Sequence, residues 1–149
     1  MSQQRANRLS PLIRIAEKAV QEALAYLGSV QQRMEAEKSR REDLTLYQKE
    51  YHASFNHKGQ SGVSGAQIQQ FEAFMKQIDT ALINQQRQIH TIEAQLVKAR
   101  EVYIKLNTRL ESYKKLKTRL TDQAIASENL QLQKLLDELG AQSHRRHSN

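Results

Sequence analysis

Few side chains in this chain have the types and spacing that could do chemistry, and their placement argues for binding and not for catalysis. There are five histidines, 23 lysines and arginines, eight tyrosines and phenylalanines, and no cysteine. Without cysteine there is neither a thiolate metal site nor a disulfide framework. His52 and His57 are five residues apart, His90 stands alone, and His144 and His147 lie close to the C-terminus. Ligands on one helix face need i, i+3 or i, i+4 spacing, so none of these makes a zinc pair. No glycine-rich phosphate loop and no G-x-G-x-x-G occurs, so no cofactor site is expected. A general acid or base also needs a desolvated pocket. The chain reads as no enzyme, with no catalytic, cofactor-binding or metal-binding residue.

The cations are the second candidate. Formal net charge is +7 and the pI is near 9.8. The basic residues crowd Lys98–Arg119, where Lys98, Arg100, Lys105, Arg109, Lys114, Lys115, Lys117 and Arg119 are interrupted only by Glu101 and Glu111. Arg5, Arg8, Arg14 and Lys18 form a second group near the N-terminus. Such a balance suits an acidic partner, be it nucleic acid, anionic lipid or protein, or it keeps a solvated coiled coil soluble. Nucleic acid fits less well. The basic run does not lead into a zipper, and the aromatics that could stack on bases are far from it in sequence.

The elements that must hold these residues follow from apolar spacing. A ladder with alternating steps of four and three runs Leu9, Ile13, Ala16, Val20, Ala23, Leu27, Val30, Met34, then Leu44, Tyr51 and Phe55. After a break it resumes through Ile68, Phe71, Met75, Ile78, Leu82, Ile89, Ile92, Leu96, Ala99, Tyr103, Leu106, Leu110, Tyr113, Leu120 and Ala124. A mean period of 3.5 keeps one stripe of a helix against a partner helix. One proline and a mean hydropathy of -0.75 fit long helices and give strands little support. The expected fold is all-α: a long two-helix antiparallel coiled-coil hairpin, helix 2 longer than helix 1.

Local signals set its bounds. Ser10-Pro11 offers an N-cap and a proline at the first helical position. Helix 1 is then expected over about 10–58, ending where Gly59 takes the left-handed C′ position. The joint is 59–63. Ser64 and Gln67 form a capping box, with Val63 and Ile68 placed as a hydrophobic staple. Helix 2 is expected over about 64–139, with fraying around Ser127–Asn129 as an alternative. Gly140 stops it, and 141–149 is a disordered basic tail beyond a single domain of 1–140. The lengths would be roughly 70 Å and roughly 110 Å. Folding about the joint opposes residues whose numbers add to about 120.

Helix 2 then overhangs, carrying Leu116, Leu120, Ile125, Leu130, Leu132, Leu135, Leu136 and Leu139. An isolated apolar helix is marginal in water, so a partner, a copy of the chain or residues 1–8 should cover it. Glu37, Arg41, Gln48, Gln85 and Lys117 put polar groups on the ladder. They act as register devices or as points of local flexibility, with Glu37 and Arg41 expected near Asp79 and Gln85. Leu46, Tyr47, Phe74, Ala81 and Ile83 fall off its beat. Tyr47 and Phe74 should lie at one level, forming a protein-binding patch or thickening the seam. No segment reaches the ~18 apolar residues of a membrane span, and no signal peptide is visible, so a soluble cytoplasmic protein is the expectation.

With length, one break, the tyrosine pair of LTLYQKEY (44–51) and the Phe-x-x-x-Ile-x-x-Ala of FMKQIDTAL (74–82), together with LIRIAEKAV (12–20), the chain resembles the FliJ family of flagellar type III export proteins and their injectisome relatives. The resemblance covers about Leu12 to Leu139. It implies a hairpin similar to the central stalk of rotary ATPases. It also implies a non-enzymatic coupling role, with export chaperones, the export ATPase FliI (with FliH) and the export-gate protein FlhA as partners. No specific nucleic acid is implied, and contact with the membrane is peripheral, through protein partners. The gate-binding edge would be Leu44, Tyr47, Tyr51, Phe74, Ile78, Ala81 and Gln85. The ATPase-binding basic end would be Arg14, Lys18, Arg109, Lys114, Lys115, Lys117 and Arg119. Gln85 replaces a histidine, and Arg40 a glutamine, that relatives tend to carry. A self-associating scaffold or a basic nucleic-acid-binding coiled coil are the alternatives.

Overall fold

In the computed structural model, which describes residues 1–148, two helices form the chain: α1, Ser2–Gly59, and the longer α2, Gly65–Ser148. They pair as an antiparallel helical hairpin, and the chain is all-α as its periodicity predicts.

Contacts divide the hairpin into two compact units, 23–103 and 1–22 with 104 onward, where the sequence suggests a single domain of 1–140. In the unit 23–103, Val30, Met34, Ile89 and Ile92 form the buried core, with Leu96 packed against it. Ile78 and Ala99 are also buried. In the other unit Ala6, Ile13, Leu110, Leu120 and Ala124 are buried. The buried positions keep the four-three beat, because only that stripe faces the partner helix.

Both outer helix bounds differ from expectation. α1 starts at Ser2 and not near residue 10, so Pro11 is inside the helix and not at its first position. Met1 takes the capping role, its carbonyl accepting from the Arg5 N–H at 3.1 Å. The reason is packing. The ladder continues upstream through half-buried Ser2 and fully buried Ala6, small residues whose spacing matches Leu9 and Ile13. An internal proline removes one ladder bond, and at exposed Pro11 the ring points away from the seam.

At the other end α2 does not stop at Gly140, and 141–148 is helical and not a disordered tail. Asn149 lies outside the described residues. Among the described residues the one positive-φ position is Gly62, at 92°. Gly140 therefore keeps helical dihedrals, and a glycine without a left-handed turn weakens a helix without ending it.

Gly59 is likewise the last residue of α1 and not a left-handed cap. The chain tightens through i→i+3 bonds from Gln60, Ser61 and Gly62 to the carbonyls of His57, Lys58 and Gly59, then reverses at Gly62. α2 opens with the expected capping box. Gln67 N–H donates to Ser64 Oγ at 3.2 Å, and Ser64 N–H to Gln67 Oε1 at 2.9 Å.

Register also shifts, by about one heptad. Gln48 donates to Asp79 at 2.7 Å, Arg33 to Gln95 at 2.8 Å, and Phe55 stacks on Phe71. The numbers of these pairs add to 126–128 and not 120, while the longer reaches of Gln85 to the Glu37 carbonyl and of Tyr47 to Phe74 join residues adding to 121–122. The turn centres on Gly62 rather than Gln60, and each side chain leans about one residue toward its own helix N-terminus.

Candidate functional site

The first candidate surface belongs to the unit 23–103 and is built from rings at helical spacing. Tyr47, Tyr51 and Phe55 recur every four residues on α1, while Phe71 and Phe74 are three apart on α2. Phe55 and Phe71 stack face to face, centroids 3.9 Å apart at 10°. Tyr51 lies 5.7 Å from Phe71 and 4.5 Å from Phe74. Tyr47 closes the chain, meeting Phe74 edge-on at 6.0 Å and Tyr51 at 6.3 Å. The edge-on Tyr47–Phe74 pair is the arrangement that ring quadrupoles favour.

These contacts grade from inside to outside. Ile78 is buried at 4% exposure and belongs to the seam, beneath the edge. Leu44, Tyr51, Phe74 and Gln85 are half-buried, whereas Tyr47 at 49% and Ala81 are exposed. Tyr47 and Phe74 do share one level, as their numbering suggests. Tyr47 therefore presents an amphipathic ring whose rotamer is already braced by two neighbours. A braced ring loses little conformational freedom on binding.

Polar groups border the rings. Gln85 Nε2 donates to the Glu37 carbonyl at 3.3 Å, while its own Oε1 is buried without a partner, as is that of Gln86. Glu37 pairs through its carboxylate with Arg40 at 3.1 Å. Arg41, expected in the seam near Asp79, is exposed instead and lines an open groove with Lys38, Leu46 and Ile89. The heptad shift in register explains the exchange, because it gives Asp79 to Gln48. Leu46 and Ile83 are both 56% exposed, which agrees with their falling off the beat.

The second candidate surface belongs to the other unit. α1 contributes Arg14 and Lys18, α2 contributes Arg109, Lys114, Lys115 and Arg119, and all six are exposed; Lys117 is half-buried on the seam. Lys114 Nζ sits 4.0 Å from Glu17 and 3.9 Å from Glu111, loose pairs that leave its charge available to solvent. Lys114, Lys115, Thr118, Arg119 and Asp122 line an open groove. Arg5 and Arg8 add exposed charge from the first turns of α1.

Two features escaped sequence reasoning. One is the Phe55–Phe71 stack with His52 at 5.8 Å from Phe71, for which the i, i+4 run of rings at 47, 51 and 55 was the available signal. The other is the Gln48–Asp79 bond, which depends on a register that spacing does not supply. Among the described residues no group of three histidine, aspartate or glutamate side chains gathers as a metal site, and no helix is long and apolar enough to cross a membrane.

The sequence model of a family described as flagellar FliJ protein matches residues 4–149. No curated protein and no solved structure matches.

Proposed function

We propose a coupling role for this chain, which belongs to the flagellar FliJ family and so to the components of the flagellar export apparatus. In this reading it is non-enzymatic and works in the cytoplasm at the inner-membrane export apparatus. It links the export ATPase FliI (with FliH) to the gate protein FlhA and assists export chaperones.

The observation that carries the reading is the ring chain that starts on Phe55 and Phe71 and ends on half-exposed Tyr47. A half-buried base with an exposed, braced aromatic tip is the arrangement of an interface hot spot. Exposed Ala81, about two turns along α2 from Phe74, is small enough to let a partner approach closely. The gate-binding edge is therefore Leu44, Tyr47, Tyr51, Phe74, Ala81 and Gln85, with Ile78 supporting it from the seam. The ATPase contact is assigned to Arg14, Lys18, Arg109, Lys114, Lys115, Lys117 and Arg119, whose charge would meet acidic loops and steer association.

The test separates the two surfaces. Replacing Tyr47 and Phe74 together by alanine removes about 2 kcal/mol or more of gate affinity, which is about 30-fold in Kd. Helicity and ATPase stimulation should be retained. Replacing Lys114, Lys115 and Lys117 by glutamate should give the converse, loss of ATPase stimulation with gate binding intact. Gate binding that survives the aromatic double substitution overturns the assignment, as does ATPase stimulation that survives the charge reversal.

A further inference from the structure

We propose that residues 125–139 of α2 dock on the exposed face of the first turns of α1 in a second copy of this chain. All the residues concerned belong to one unit, residues 1–22 with 104 onward.

The seam ends at Leu120 and Ala124, and residues 125–147 are exposed without exception. Continued past Ala124, the seam's beat would fall on Ser127, Gln131, Lys134 and Glu138, which are all polar. Four apolar residues fall one position later, at Ile125, Leu132, Leu135 and Leu139, with Leu136 flanking them; all five are about half exposed. One residue is about 100° around a helix, so this stripe is a different face and not an extension of the seam. The chain's own α1 cannot cover it, because Ser2 and Ala6, its first turns, are already spent on the seam.

A matching surface exists at the same end of the molecule. Arg5, Arg8, Leu12 and Ile15 recur at steps of three, four and three, which places them on one face of α1. Leu12 is 46% exposed and Ile15 67%. Charge selects the pairing. Glu128, Asp137 and Glu138 outnumber Lys134 in the α2 segment, whereas Arg5, Arg8, Arg14 and Lys18 outnumber Glu17 in the first eighteen residues.

An acidic apolar stripe thus meets a basic apolar one, and neither faces the seam of its own chain. Each copy offers both surfaces, so the contact is reciprocal, has two-fold symmetry and closes at a dimer. It covers the end of the chain to which the ATPase contact is assigned, making the dimer the unengaged form.

The test is sedimentation equilibrium of the full chain between about 1 and 100 μM at about 0.15 M salt, where screening acts beyond about 8 Å. The mass should rise from 17.2 kDa toward that of two chains. Leu132→Asp with Leu136→Asp should leave a monomer at every concentration with unchanged helicity, since neither residue is in the seam. Asp137→Lys with Glu138→Lys should weaken the dimer at least tenfold, and adding Arg5→Glu with Arg8→Glu in the same chain should restore it. A monomer throughout, an assembly that grows beyond two chains, or a dimer indifferent to the leucine substitutions overturns the proposal. Failure of the charge exchange to restore the dimer overturns it as well.

Discussion

Gln85→Leu should make this protein more stable, although it deletes a hydrogen bond. Gln85 is a half-buried seam residue whose Nε2 reaches the Glu37 carbonyl at 3.3 Å, a long contact, while its Oε1 is buried without a partner. The bond contributes about 0.5–1 kcal/mol, and the orphaned carbonyl costs about 1–3 kcal/mol. Leucine on the same beat adds about 1 kcal/mol of apolar burial at a position already partly filled. The balance is a gain of about 2 kcal/mol, because the Glu37 carbonyl lies within α1 and keeps its helical donor. For a chain of this size that raises the melting temperature by about 4–8 °C. Thermal unfolding followed by circular dichroism reads the shift, and amide exchange over 80–90 localises it. An unchanged or lowered melting temperature would refute the reasoning, since it would mean that the carbonyl is satisfied in solution. Gln85 also belongs to the proposed gate-binding edge, so the stabilised variant should bind the gate less well.

The two helix starts yield further expectations. Pro11→Ala restores an N–H inside α1 and should stabilise its first turns by up to about 3 kcal/mol, seen as slower amide exchange over residues 7–15. Ser64→Ala removes the acceptor of the Gln67 N–H at the start of α2 and should cost about 1 kcal/mol in urea unfolding.

Much of the architecture was legible in the chain because it rests on local periodicity. The four-three ladder specifies which stripe of each helix is buried, and the buried residues from Ile13 to Ala124 keep its beat. The Ser64–Gln67 box was readable for the same reason: both partners lie within one helical turn. The outer helix ends were not, since a proline and a glycine are local stop signals that distant packing can override. Ala6 illustrates this. Its small side chain says little by itself, yet it is 0% exposed once α2 lies against it, and the helix runs through Pro11 to keep it there.

The site divides along the same line. That Tyr47 falls off the beat and lies level with Phe74 could be counted from the sequence, but the ring chain back to Phe55 and Phe71 could not. Sequence by itself determined two long helices, one joint, a buried stripe and the uneven distribution of rings and cations, because each depends on neighbours within a few residues. Only the tertiary structure decided the register. That depends on where Gly62 turns the chain and on how side chains lean across the seam, and it sets Asp79 against Gln48, leaves Arg41 in solvent and ends the seam at Ala124.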